Sequence, residues 1–127
     1  MSRVVLDSSA LLAVVNNEPG FEIVAETIGE AIISAVNHAE VVTKLVDRLG
    51  SLEIARKALG FADVEVLDFD RGLAEDAGAL VRQTSVSGLS LGDRACLALA
   101  AREGAPVLTS DRTWSGVNIG VEVRLIR

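Results

Sequence analysis

Val4-Val5-Leu6-Asp7-Ser8-Ser9-Ala10-Leu11-Leu12 decides the reading of this chain, because a single carboxylate interrupts an otherwise apolar run. The stretch from Arg3 to Leu6, with β-branched Val4 and Val5 followed by apolar Leu6, predicts a short strand buried on both faces, as in a parallel sheet. Ser8 or Ser9 can cap a helix running through Val15. Asp7 therefore falls at the carboxyl end of a strand, where open α/β sheets bind their ligands.

The rest of the chain repeats that alternation. Asn16 to Gly20 reads as a turn. Phe21, Val24, Ala25 and Ile28 recur at helical spacing, with Gly29 as the stop. Ala31 to Ile33 predicts a second strand, Ser34 caps a helix over 35–49, and Ser51 caps another over 52–59. Val64 to Leu67 predicts a third strand, and Asp70 can cap a helix reaching Gln83. Ser90-Leu91-Gly92-Asp93 has the form of a capping box opening a helix over 91–103. Pro106 to Thr109 and Val123 to Ile126 complete five strands. The expectation is one domain over residues 1–127, a three-layer α/β/α sandwich around a mainly parallel, about five-stranded sheet.

Composition narrows the function classes. The chain has 127 residues, enough to bury roughly two-thirds of its unfolded surface. Half of them are hydrophobic, yet Phe21, Phe61, Phe69 and Trp114 are the only aromatics, so aliphatic side chains must build the core. Cys96 is the only cysteine and lies in an apolar stretch, which excludes an internal disulfide and points to a reducing, cytoplasmic setting. Asp7 breaks the first apolar run well short of the roughly 20 residues a membrane span needs, so no membrane role is expected. A net charge of −6 argues against nucleic-acid affinity through bulk electrostatics, although ten of the twelve cations are Arg, which suits phosphate recognition.

Four acids stand out by position. Asp7 and Asp111 each follow a strand, so parallel pairing would bring them to one edge of the sheet. Glu40 and Asp93 lie on helices and can each add a carboxylate. Each has a local alternative: Asp7 an Asx-turn, Glu40 an i,i+4 pair with Lys44, Asp93 the capping box, Asp111 a turn. His38, two residues before Glu40, faces elsewhere on its helix and reads as a surface or packing residue. Four clustered carboxylates would repel unless a cation neutralised them, and oxygen ligands without His or Cys select Mg²⁺ or Mn²⁺.

Together these segments resemble the four acidic motifs of PIN-domain nucleases: Val-Leu-Asp-Ser-Ser-Ala at Asp7, Ser-Ala-Val-Asn-His-Ala-Glu-Val at Glu40, Leu-Ser-Leu-Gly-Asp-Arg at Asp93 and Val-Leu-Thr-Ser-Asp-Arg at Asp111. The order and intervals match over essentially the whole chain, which is similar to the VapC-type toxins of bacterial and archaeal toxin–antitoxin pairs. The resemblance implies that Asp7, Glu40, Asp93 and Asp111 hold one or two Mg²⁺ or Mn²⁺ ions, with Asp7 and Asp93 as the leading direct ligands. It also implies supporting hydroxyls at Ser9 and Ser110, hydrolysis of RNA by metal-activated water, a cognate VapB-type antitoxin and a homodimer.

Adding the +4 of two divalent cations to −6 leaves −2, which eases the approach of RNA. Arg94 and Arg112, each directly after a site acid, are candidate phosphate contacts or, equally, surface residues pairing with nearby acids. Helices between Phe21 and Leu59 are the candidate surface for antitoxin and second copy. The alternative is a non-catalytic PIN-like interaction module. Haloacid dehalogenase-like phosphatases are disfavoured, since their second Asp would fall at Ser9, and a glycine-rich phosphate loop is absent from the sequence.

Overall fold

Asp7 ends the central strand of the sheet, and everything around it follows from that position. The computed structural model describes residues 3–127. Its strands are β1 (Val4–Leu6), β2 (Ala31–Ser34), β3 (Glu65–Leu67), β4 (Val107–Thr109) and β5 (Val123–Leu125). They lie in the order β3-β2-β1-β4-β5 with every neighbouring pair parallel. Successive strand residues point to opposite faces. Val4, Leu6, Ile33 and Leu108 accordingly pack on one side, while Val5, Ile32 and Val107 pack on the other.

Helices cover both faces. On the first lie α1 (Ser8–Asn16), α2 (Phe21–Ala25), α3 (Ala35–Leu49) and α4 (Leu52–Leu59), which contribute Leu11, Val24, Val41, Leu45 and Ala55 to the core. The second face is covered by α5 (Arg71–Ala79) and α7 (Leu91–Glu103) through Leu73, Ala77, Leu97 and Leu99, with Trp114 beside them. The expected three-layer sandwich is thus present. The chain leaves β1 toward β2 on one side, while β4 flanks β1 on the other. That reversal opens a crevice at the carboxyl ends of β1 and β4.

Helix starts follow the cap residues. Ser34, Ser51, Asp70 and Ser90 each accept a hydrogen bond from a first-turn backbone N–H, and Ser90 and Asp93 complete the capping box. Arg102 of α7 forks onto Asp70 at 2.9 and 3.0 Å, tying α7 to the start of α5 and holding that carboxyl at about 2. Both side chains are solvated, so the pair orients the two helices more than it stabilises them. Gly20 has φ of +93° and lies against the Ile126 backbone, where a Cβ would meet the carbonyl carbon at 2.8 Å.

Several local expectations need correction. The cap of α1 is Asp7 itself, whose carboxylate accepts from the Ala10 N–H, so neither Ser8 nor Ser9 serves. Helix α2 stops at Ala25, and Gly29 lies inside a 3₁₀ turn over Ile28–Glu30 instead of ending the helix. The Thr27 hydroxyl donates to the Val24 carbonyl, closing α2 early. The helix expected from Asp70 to Gln83 divides at Leu80 into α5 and a short α6 (Val81–Thr84), as Leu80 turns toward the core and Thr84 is buried. A second 3₁₀ turn, Arg112–Gly116, was not foreseen; it seats Trp114 fully in the core.

Leu97 is fully buried on the helix that carries Asp93. Leu97→Ala is expected to cost about 2–5 kcal/mol, measured as a lowered urea midpoint at unchanged slope. A loss below about 1 kcal/mol would contradict its placement in a packed core.

Candidate functional site

Asp7, Glu40, Asp93 and Asp111 line one open pocket of about 350 Å³, together with Ser8, Ser9, Thr43 and Lys44. Four different elements supply the acids: the end of β1, the second turn of α3, the first turn of α7 and the segment after β4. A larger cavity of about 450 Å³, lined by Arg3, Glu30, Asp63 and Glu65 among others, lies at the opposite, amino-terminal edge of the sheet.

Asp7 is the most constrained of the four. Only 5% of its surface is exposed. Its Oδ1 accepts from the Ala10 N–H at 2.8 Å and the Ser9 hydroxyl at 2.7 Å, and its Oδ2 accepts from the Thr109 hydroxyl at 2.5 Å. Burial raises its pKa above the ordinary carboxylate value; the three donors partly offset this, and the neighbouring Asp93 charge adds to the rise. Ser9 also accepts from the Ser110 N–H at 3.0 Å, so Ser110 joins the network through its backbone.

Glu40 is held from two sides. Its Oε1 accepts from the Ser8 hydroxyl at 2.5 Å and from Asn37 Nδ2 at 3.0 Å. The same Asn37 amide donates to the Gly92 carbonyl at 3.0 Å, joining α3 to the start of α7. Gly92 is required by close approach: an added Cβ would collide with Glu40 Oε2 and stand 2.8 Å from its carboxyl carbon. The surface pair with Lys44 expected for Glu40 is not among the ion pairs of the described residues.

Local reading and clustering both hold for the other two acids. Asp93 Oδ2 accepts from the Ser90 N–H at 2.9 Å in the capping box. Asp111 Oδ1 accepts from the Thr113 N–H at 3.0 Å and the Thr113 hydroxyl at 2.8 Å, while the Asp111 N–H donates to the Thr109 hydroxyl. In the hydrogen bonds of the described residues, Glu40, Asp93 and Asp111 thus each engage one carboxylate oxygen and leave the other unbonded.

Sequence reasoning missed Ser8, Asn37, Gly92 and Thr109. Asn37 was within reach, since it lies three residues before Glu40 and hence on the same helical face. Arg94, one of the two candidate phosphate contacts, donates to the Ala77 carbonyl at 2.9 Å and locks α7 onto α5. Arg112 is exposed. His38 is half-buried and outside the acidic pocket, as expected of a packing residue. Cys96 is fully buried, and its thiol pKa is raised well above normal by burial and by Asp7, Asp93 and Glu40, so it serves as a small hydrophobe.

Among the described residues, no three His, Cys, Asp or Glu side chains form a ready-made metal shell. The donor set nevertheless fits a hard divalent cation. It offers carboxylate oxygens alone, three of them unbonded, beside a buried acid whose charged form three donors compensate only in part.

Fold and pocket together define an α/β protein with a carboxylate cluster at the switch point of a parallel sheet. The PIN domain model matches residues 4–119, and the chain belongs to that family. Its fold is similar to that of a chain in the DNA-bound VapBC structure from Salmonella typhimurium, with TM-score 0.80, 21% identity and coverage of 100% of both chains. A chain of the VapBC2 structure from Rickettsia felis, bound to a promoter DNA fragment, matches at TM-score 0.75 and 17% identity over 96% of this chain and 97% of that one. VapC20 of Mycobacterium tuberculosis, described as a toxin that cleaves the sarcin-ricin loop, matches at TM-score 0.74 and 18% identity over 94% and 98%. No curated protein sequence matches the chain.

The raised pKa of Asp7 has a definite sign for stability. In the unfolded chain the carboxyl ionises near pH 4, and in the fold it ionises higher. Ionised Asp7 therefore subtracts stability from the metal-free protein above about pH 4, increasingly until pH passes the folded value. In EDTA, Asp7→Asn is expected to flatten the fall in melting temperature between about pH 4 and neutrality. An equally steep fall in the variant would show that Asp7 carries no such penalty.

Proposed function

We propose that this chain is the toxin of a type II toxin–antitoxin pair and acts in the cytoplasm as a Mg²⁺- or Mn²⁺-dependent ribonuclease. The observation that supports this reading is the convergence of Asp7, Glu40, Asp93 and Asp111, from four separate elements of a PIN-domain fold, on one pocket at the sheet's carboxyl edge. Asp7 and Asp93 are the direct metal ligands in this reading, with Glu40 and Asp111 completing the site. A bound divalent cation supplies an acidified water and neutralises charge developing on the phosphate.

The chain's own residues do the remaining work. Ser9, Thr109 and the Ala10 N–H fix the Asp7 carboxylate, so the ligand does not reorganise when RNA arrives. Ser8 and Asn37 fix Glu40 in the same way, and Gly92 leaves room for its carboxylate. Glu40 and Asp111 each keep an oxygen able to accept the proton of the attacking water as the phosphodiester bond breaks in line. No side-chain nucleophile is needed.

The VapBC assemblies among the similar structures support a VapB-type antitoxin as partner. Ile23, Leu52 and Ile54 present exposed apolar side chains between Phe21 and Leu59, which suits both antitoxin docking and homodimer formation. The non-catalytic alternative draws on the bonds that hold Asp93 and Asp111 as cap residues. Metal titration separates the two, because ligand at about 100 times Kd adds about 2.7 kcal/mol of stability to a true site.

Asp7→Asn and Asp93→Asn are each expected to lower Mn²⁺-stimulated RNA cleavage at least about 100-fold, or ~2.7 kcal/mol of barrier. EDTA should abolish cleavage in the parent protein. Full activity in either variant would sink the assignment. Gly92→Ala is expected to fold, because the helix gains ~1 kcal/mol of propensity while the Glu40 side chain moves aside. Its cleavage and its Mn²⁺-induced rise in melting temperature should both fall.

A further inference from the structure

A second cleft, of about 310 Å³, adjoins the acidic pocket and shares Ser9 and Lys44 with it. Besides those two residues, Asn16, Glu18, Arg48 and Arg127 line it. Three of the twelve Lys and Arg of a chain with net charge −6 thus meet beside the carboxylates. Lys44 and Arg48 lie four residues apart on α3, a like-charge spacing that costs ~0.2 to 0.5 kcal/mol in an isolated helix. Among the described residues neither is in an ion pair.

Arg127 is held in place by donating to the Pro19 carbonyl at 2.8 Å, and Glu18 at 3.9 Å neutralises part of its charge. Lys44 and Arg48 therefore bring the charges of the cleft that no ion pair of the described residues takes up, Lys44 at the rim it shares with the four carboxylates. From Glu40 to Arg48 along α3 is eight residues, or about 12 Å. That distance is too long for both to serve the scissile phosphate, but a strand passing through the acidic pocket would bring a neighbouring phosphate to Arg48.

The geometry points to a phosphate-binding subsite at Lys44 and Arg48, with Arg127 at its rim, that holds the RNA backbone beside the bond to be cut. The subsite rests on the ribonuclease reading for the identity of its ligand. It reads charge and not bases, and it supplies locally the attraction that the chain's overall charge denies. The scarcity of aromatics fits this mode, because no aromatic side chain lines this cleft to offer a stacking platform.

The test measures binding of a fluorescein-labelled single-stranded RNA of about 20 nucleotides and mixed sequence to the Asp7→Asn protein in EDTA, across a salt series. Adding Arg48→Glu should weaken binding at least about tenfold, and Arg48→Lys should restore most of it. Lys44→Gln combined with Arg48→Gln should lower the slope of log Kobs against log salt by about 1.4, since each single-strand phosphate contact contributes about 0.7. Arg124→Glu makes the same change of charge at an exposed position on β5, outside both pockets, and controls for bulk charge.

An unchanged affinity in Arg48→Glu overturns the subsite, as does an equal loss in Arg124→Glu or a failure of the parent to bind RNA. An acidic protein segment as the true occupant would give the first of these results. Binding through Arg48 by a protein that never cleaves RNA refutes the ribonuclease reading alone. Cleavage with Arg48-independent binding refutes the subsite alone.

Discussion

A buried carboxylate at the end of the central strand is the constraint around which this molecule is arranged. Removing an acid from water is costly unless donors surround its charged form. Asp7 meets the cost only in part, with one backbone N–H and two hydroxyls, and burial still raises its pKa. Those donors come from the start of α1 and from the last residue of β4, so Asp7 also joins β1, α1 and β4. A residue that caps a helix and locks a strand pair cannot drift from its position.

The sheet makes that rigidity affordable. β1 is central and parallel to both neighbours, and its alternate residues feed two separate cores. Helix α3 comes from one layer and α7 from the other, yet the Asn37 amide reaches from the first to the Gly92 carbonyl of the second. The pocket therefore sits where all three layers meet. Its acids are carried by regular elements or by residues within two of a strand end, a placement that holds ligating atoms more firmly than long loops do.

The fold and the four acids were legible in the sequence because both depend on short-range signals. Apolar triplets marked β1, β2 and β4, cap residues marked the helix starts, and an acid directly after a strand has few places to go. What supports the acids was not legible in the same way. Thr109 and Asp7 are 102 residues apart, and Ser8 and Asn37 meet around Glu40 only once α1 and α3 pack together. The two 3₁₀ turns escaped because segments of three to five residues carry no usable period. The Arg94 bond to a helix carbonyl was not legible either, because a polar head can be drawn to a neighbouring helix as readily as to a ligand or a surface acid.

The division of labour within each carboxylate has a consequence for what the pocket accepts. Glu40, Asp93 and Asp111 each commit one oxygen to the scaffold and present the other. A cation that takes both oxygens of a carboxylate, as large ions with seven or eight neighbours commonly do, would have to share an oxygen with a helix cap or with the donors that hold Glu40. One satisfied by single oxygens and water, in a small octahedral shell, would leave every cap intact. In the metal-dependent reading, the bonds that fold the protein would thereby favour the smaller ion through hydrogen bonds that never touch it.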